Sequence, residues 1–144
     1  MFRPMTVEDL PVVAAMCQEY FDPGVPLRTL QSHMKLPNAA VMEQGGRICG
    51  FYLSCVSSDP KEWRFLAAGV VPQSEGLGKL LAHHVLQVAE QQGYNRLTCE
   101  VARGNVVAQR LYASVGGVVT GVRPNYYTRR DGTPEDALVM TVTL

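Results

Sequence analysis

Residues Leu66 to Gln92 read LAAGVVPQSEGLGKLLAHHVLQVAEQQ. The apolar run Leu66 to Val71 predicts a buried strand, because it is short, continuous and followed by a proline loop. The loop Pro72 to Glu75 leads into Gly76-Leu77-Gly78. Beyond it Leu80, Leu81, Val85, Leu86 and Ala89 recur at helical spacing, and Gly93 stands where a helix C′ glycine belongs. The segment is therefore strand, glycine turn, helix. The first backbone N–H groups of such a helix lack intrahelical partners, and the helix dipole makes that end positive. Glycines there allow an anion to approach the backbone, so the turn is suited to a phosphate. A helix start with two turn glycines also occurs with no ligand at all. Spacing excludes two phosphate motifs. G-x-G-x-x-G fails because Leu81 replaces its third glycine, and G-K-[ST] fails because Leu80 follows Lys79. What remains is Gln73-x-x-Gly76-x-Gly78.

The chain has 144 residues, enough for one domain with a substantial core. Hydrophobic residues make up 47% and charged residues 18%, and the formal net charge is zero. That balance suggests neither a nucleic-acid surface nor an anionic membrane as partner. There is no apolar run long enough for a transmembrane helix, and the start MFRPMTVEDL lacks the apolar region of a secretory signal. Cys17, Cys49, Cys55 and Cys99 show no C-x-x-C spacing and no histidine at metal-ligand spacing. They read as reduced thiols of a cytoplasmic protein, with no metal expected.

Around the central segment, Met1 to Met5 reads as an edge strand. Thr6-Val7-Glu8-Asp9 is a capping box with Asp in the reaching position, and Leu10, Val13, Cys17 and Tyr20 follow on one helical face. Asp22-Pro23-Gly24 stops that helix, and Pro26 opens another with Leu27, Leu30 and Met34 as its stripe. Gly45-Gly46 between the runs Ala39 to Glu43 and Arg47 to Val56 signals a hairpin. A turn at Ser58 to Lys61 leads to a strand from Trp63 to Val71.

After Gly93, Leu97, Cys99 and Val101 alternate with Thr98 and Glu100, so Glu100 lies on a probable central strand. It reads either as an ion-paired carboxylate or as a base beside a reacting amine. Asn105 is a good N-cap for a helix whose apolar face is Val107, Leu111, Tyr112 and Val115, closed by Gly116-Gly117. Tyr112 by itself reads as a core residue with its hydroxyl satisfied. Val118 to Val122 and Asp136 to Leu144 read as two last strands joined through Arg123-Pro124-Asn125-Tyr126-Tyr127 and a polar loop. The order is β-α-α-β-β-β-α-β-α-β-β: an α/β fold with a mixed, mostly antiparallel sheet flanked by helices, spanning 1–144 as a single domain. The adjacent His83 and His84 read as bystanders on the long helix.

Together Gln73-x-x-Gly76-x-Gly78, Asn105, Tyr112 and the element order resemble the GNAT N-acetyltransferase family, most clearly from Ala67 to Met140. The form resembled is the bacterial ribosomal-protein-alanine N-acetyltransferases, carried by Glu100-Val101, Asn105, Leu111-Tyr112, Asn125-Tyr126-Tyr127 and Glu135-Asp136-Ala137 after Gly132. The resemblance implies an N-acetyltransferase that uses acetyl-CoA as co-substrate. It implies that backbone groups of Leu66, Ala67 and Ala68 pair with the pantetheine arm. Gln73, Ser74, Glu75, Gly76, Leu77, Gly78 and Lys79 would form the pyrophosphate loop, and Asn105 would bond the cofactor arm. Glu100 would be a general base acting through water, and Tyr112 would touch the cofactor and protonate its leaving thiolate. Tyr126 and Tyr127 would line the acceptor side. The implied acceptor is a protein or peptide N-terminal α-amine. A small-molecule amine (polyamine, aminoglycoside or amino acid) is the alternative. A non-catalytic acyl-CoA-binding regulatory module is a third, disfavoured because Glu100 and Tyr112 are both present. Glu75 and Pro72 depart from the family's loop, and a carboxylate near a pyrophosphate costs on the order of 1 to 4 kcal/mol at close range. A last strand ending at Leu144 would be available to pair across a homodimer.

Overall fold

The computed structural model describes residues 1–22, 24–25, 27–33, 39–55, 57–72 and 75–144, with the side chains of His33 and Glu75 excepted. The elements are β1 (Phe2–Pro4), a 3-10 turn (Val7–Asp9), α1 (Leu10–Tyr20), α2 (Leu27–His33), β2 (Ala39–Gln44), β3 (Arg47–Cys55), β4 (Glu62–Val70), α3 (Glu75–Gln91), β5 (Arg96–Ala102), α4 (Val106–Ser114), β6 (Gly117–Thr128) and β7 (Pro134–Thr143). They form a seven-stranded sheet in the order β1-β2-β3-β4-β5-β7-β6. Only β4 and β5 run parallel; every other neighbouring pair is antiparallel. The mixed α/β architecture and the element order are those expected from the sequence.

Local chemistry explains the turns. Gly45 and Gly46 have φ of 58° and 78°, the left-handed pair that a two-residue hairpin loop between Gln44 and Arg47 requires. At the end of α3, Gly93 donates to the Glu90 carbonyl and Tyr94 to the Ala89 carbonyl, a Schellman closure with Gly93 at φ 83°. At the start of α1, the Asp9 carboxylate accepts from the Thr6 backbone N–H at 2.7 Å and from its hydroxyl at 3.0 Å. Arg3 donates to the same carboxylate through two nitrogens at 2.7 and 2.8 Å, tying β1 to α1.

That fork has a consequence for acid stability. The Arg3 guanidinium first, and the Thr6 N–H with it, hold the buried Asp9 carboxyl down at about 2. A depressed folded-state pKa contributes stability above the unfolded value and loses it as pH falls through the folded one. Asp9→Asn is therefore expected to cost about 2 kcal/mol at pH 7, with the deficit shrinking below about pH 4 and gone near pH 2. Urea titrations at both pH extremes check it; a deficit independent of pH would contradict the ion-pair account.

The sheet buries both faces. Against α3 and α4 it packs Tyr52, Trp63, Phe65, Leu97, Cys99 and Met140, with Leu81, Val85 and Ala89 of α3. Against α1 and α2 it packs Val41, Phe51 and Leu53, with Leu10, Val13, Met16, Cys17 and Leu30. Four expected core positions are exposed instead: Tyr20, Leu27, Leu80 and Val107. In α1 Leu10, Val13 and Cys17 are buried as expected and Met16 joins them, while Tyr20 at the helix end is exposed; in α4 Ala108 packs against the core in place of Val107. Pro23, Pro26 and Met34 lie outside the described residues. His84 has a packing role, its ring stacked on Phe2 at 3.7 Å. Cys17, Cys49, Cys55 and Cys99 are all free thiols.

The last hairpin corrects two expectations. β6 continues through Arg123 to Thr128, where a connecting segment was expected. Irregular register between Val119 and Gly121 and between Arg123 and Tyr127, with Asn125 at φ 51°, lets the chain stay paired to β7 past Pro124. β7 lies between β5 and β6 and pairs with both. Its edges are already taken, so the strand before Leu144 is not available to pair across a dimer.

Candidate active site

The site begins with a fault in the sheet. β3 pairs Leu53 with Ala67 and Ser54 with Phe65, which leaves Leu66 as an extra residue on β4. Such a bulge bends a strand and increases its twist. On the other side, β4 pairs with β5 from Glu62↔Arg96 to Phe65↔Cys99 and no further. Beyond that point β5 stays with β7, while β4 stays with β3. The two parallel strands therefore part like an opened V, and backbone groups of Leu66, Ala67 and Ala68 facing the gap are left for another partner. The apolar run expected to be buried is only partly so: Leu66 and Ala67 are half-buried and Ala68 is exposed. The apolar composition of this stretch serves the gap as well as the core.

Two cavities fill the opening, of about 570 Å³ and about 360 Å³. Both are lined by Phe21, Ala68, Asn105, Ala108 and Tyr112, so they form one path across the parted strands. The larger also reaches Leu66, Ala67, Glu100, Tyr126 and Tyr127; the smaller reaches Gly78, Lys79 and Arg110.

At the outer end, α3 begins at Glu75, so Gly76, Leu77, Gly78 and Lys79 belong to its first turns, about one turn earlier than the expected start after Gly78. The glycines divide their roles. A Cβ on Gly76 would meet nothing within 4 Å, whereas one on Gly78 would lie 3.1 Å from Leu111 Cδ2. Gly76 leaves space for a ligand beside the helix start; Gly78 lets α3 pack on α4. Gln73, Ser74 and the Glu75 side chain lie outside the described residues.

Asn105 caps α4, its Oδ1 accepting from the Ala108 N–H at 3.1 Å. That places Asn105 on both cavities and turns Tyr112, two turns along α4, toward the parted strands. Burial first, and the Cys99 thiol beside it, raise the Tyr112 hydroxyl well above the usual tyrosine value. It therefore keeps its proton at neutral pH. Burial also pushes the Cys99 thiol up to about 12, which leaves it un-ionised and a poor nucleophile.

Glu100 is the ion-paired carboxylate of one sequence reading, and it also lines the larger cavity. Its side chain is 4% exposed and faces the larger cavity. Its Oε1 accepts from Arg64 and lies 3.0 Å from Arg123 Nε. The two guanidiniums give this buried side chain its ion-pair partners. The Tyr127 hydroxyl donates to the Glu100 backbone carbonyl at 3.1 Å, holding the end of β6 over β5. Tyr126 packs edge-on against Tyr127 at 4.9 Å, with Arg123 5.9 Å from its ring centre.

Sequence reasoning missed several residues that shape this place. Arg64 and Arg123 could have been found by asking what neutralises a carboxylate on a central strand. Phe21 and Asp22 of the α1–α2 connection line the larger cavity, as does Arg129. No local pattern marks them, because only the fold brings residues so distant in the chain to one rim.

The arrangement suits an extended ligand with an anionic end at the start of α3, an arm along the open edge of β4, and a reacting end between Glu100 and Tyr112. Comparison with known proteins identifies the family. The acetyltransferase (GNAT) family model matches residues 14–116. The ribosomal protein bS18-alanine N-acetyltransferase of Escherichia coli K12 is 32% identical over 103 residues, covering 72% of this chain and 69% of that protein. The crystal structure of the Escherichia coli ribosomal-protein-S18-alanine N-acetyltransferase superposes with a TM-score of 0.85 at 28% identity, covering 99% of this chain and 92% of the other. A GNAT family acetyltransferase from Elizabethkingia anophelis with acetyl-CoA bound shares the fold, with a TM-score of 0.79 at 17% identity over 100% of this chain and 97% of that one. Parted strands, a helix start beside them and these matches lead to one conclusion: the chain belongs to the GNAT family and is an N-acetyltransferase.

Proposed function

We propose that this enzyme moves an acetyl group from acetyl-CoA to the α-amine of a protein or peptide N-terminus, in the cytoplasm. The observation that carries the reading is the opening between β4 and β5, with Glu100 and Tyr112 facing it and Tyr126 and Tyr127 forming a further wall. Relatives named for acetylating the alanine of a ribosomal protein support a peptide acceptor.

The described residues fit acetyl-CoA. Backbone groups of Leu66, Ala67 and Ala68 on the open edge would pair with the pantetheine amides, as an added strand would. The N–H groups from Ser74 to Lys79, together with the helix dipole, would hold the pyrophosphate, with Gly76 leaving room for it. Lys79 and Arg110 bring positive charge to that end of the path. Asn105 would bond the arm midway. Acetyl-CoA, when bound, supplies an activated thioester carbonyl.

The protein supplies position and protons. An α-amine has a pKa of about 7.7 to 8, against about 10.4 for lysine, so it needs little help to lose its proton at neutral pH. Glu100, positioned by Arg64 and Arg123, would order a water that receives that proton. A backbone N–H near Ala68 on the splayed strand would donate to the carbonyl oxygen as charge develops there. Tyr112, still protonated at neutral pH, would donate to the departing sulfur. Cys99, un-ionised, leaves the amine as the attacking group, so transfer is direct. Much of the rate would come from holding both substrates in one path.

Calorimetric titration with acetyl-CoA, followed by thiol-release assays, tests the reading. The acceptor panel comprises peptides with free or blocked N-termini, polyamines and aminoglycosides. Micromolar acetyl-CoA binding and turnover of free-N-terminus peptides are expected; turnover of polyamines or aminoglycosides alone would replace the peptide acceptor by a small amine. The same titration checks the loop. Glu75→Lys is expected to tighten binding several-fold, about 1 kcal/mol, by removing a carboxylate from the pyrophosphate's surroundings. Unchanged or weaker binding would show that Glu75 does not sense the phosphates.

A further inference from the structure

The rim of the larger cavity has two walls from opposite ends of the chain. One is the α1–α2 connection, with Phe21 and Asp22; the other is the end of the β6–β7 hairpin, with Tyr126, Tyr127 and Arg129. Arg130 makes most of the contacts that join them. The Arg130 guanidinium donates to the Phe21 carbonyl at 2.7 Å and to the Cys17 carbonyl at 3.1 Å. Its backbone N–H donates to Asp22 Oδ1 at 3.1 Å. Arg129 adds a longer ion pair, 4.0 Å, to the other Asp22 oxygen, and is itself held by Glu135 at 2.5 Å.

The chemistry of this bridge is specific. Cys17 and Phe21 lie at the C-terminal end of α1, where the dipole is negative; the Cys17 carbonyl already accepts from the Phe21 N–H at 3.2 Å and takes the guanidinium as a second donor. A single guanidinium nitrogen, Nη2, reaches both carbonyls, its two N–H groups fixed in the guanidinium plane; a lysine ammonium offers charge on a more flexible stem without that fixed plane. The contacts fix the exit of α1. Phe21 leaves that exit and packs on β4 so closely that a Cβ on Gly69 would collide with its ring. The same ring lies edge-on to Phe51 at 6.2 Å. Arg130 therefore reaches the open edge of β4 through Phe21, although it touches neither Glu100 nor Tyr112.

We propose that Arg130 is a positioning residue for the acceptor. By locking the α1–α2 connection to the β6–β7 hairpin it sets the width of the mouth through which the amine-bearing chain end reaches Glu100. This rests on the peptide-acceptor reading above. Phe21 borders the cofactor path as well, but Asp22 and Arg129 line the larger cavity and not the smaller, and Arg130 lines neither, so the acceptor should respond more strongly than acetyl-CoA.

Steady-state kinetics on Arg130→Ala, Arg130→Lys and Asp22→Ala test the inference. Arg130→Ala is expected to raise the KM for a free-N-terminus peptide about ten-fold, as loss of charge-assisted hydrogen bonds would. The kcat and the acetyl-CoA Kd should stay within about two-fold of wild type. Arg130→Lys should recover only part of the loss. Asp22→Ala should raise the same KM from the other wall, and the double variant should do little more than either single, because the two residues form one bridge. An unchanged peptide KM in Arg130→Ala would overturn the inference, and so would a parallel rise in acetyl-CoA Kd with a lowered Tm. If the wild-type enzyme acetylates no peptide at all, the acceptor reading fails first and this inference falls with it.

Discussion

Tyr112→Phe is expected to lower kcat by about 10² to 10⁴-fold, the range that a positioned proton donor contributes. The Kd for acetyl-CoA should change by no more than about two-fold, since the ring still fills its place on both cavities. The leaving thiolate must be protonated as the carbon–sulfur bond breaks, and Tyr112 is the hydroxyl on α4 that faces the parted strands. Burial raises its pKa far above neutrality, so the donor is fully loaded at working pH. Single-turnover rates with saturating acetyl-CoA check the effect without interference from product release. A variant as fast as wild type would remove Tyr112 from the acid role. A variant that loses cofactor affinity along with rate would make the residue a wall of the cavity.

Trp63→Ala should cost about 3 to 5 kcal/mol of folding stability, the largest loss expected from any single substitution in this chain. Trp63 is 2% exposed and meets three rings: Tyr52 edge-on at 6.0 Å, Phe65 at 4.9 Å and Tyr94 stacked at 5.6 Å. It stands on β4 where that strand is still paired to β5, opposite Leu97. The cluster thus closes the sheet just before it opens, and it anchors the turn after α3 through Tyr94. Guanidinium titration with an unchanged m-value and a lower midpoint is the expected result. A loss below about 1 kcal/mol would mean that the neighbouring rings collapse into the space.

The sequence carried the fold well because its punctuation is strong. Gly45-Gly46, Gly93 and the Thr6–Asp9 box each have one geometry that satisfies them, and each adopts it. The opening of the sheet was legible only in part. Leu66 to Val71 has the composition of a buried strand, and nothing in its own residues reveals that β5 turns away after Phe65. A bulge is a relation between two strands, so it is invisible in either one alone. Gly76 and Gly78 looked equivalent in the motif, yet the second answers to Leu111, some thirty residues further along the chain. Glu100 was legible as a problem, a carboxylate on a central strand, while its solution, Arg64 and Arg123, needed the register of three strands. Arg130 lay beyond any local reading, since its partners are more than a hundred residues away.

The most direct test of the account is mass spectrometry of one peptide in two forms. The peptide begins with a free alanine and carries an internal lysine; its twin has the same sequence with a blocked N-terminus. With wild-type enzyme and acetyl-CoA, the free form should gain a single acetyl group, placed by fragmentation on the α-amine, and the blocked form should gain none. Equal modification of both peptides, with the acetyl group on lysine, would contradict the account.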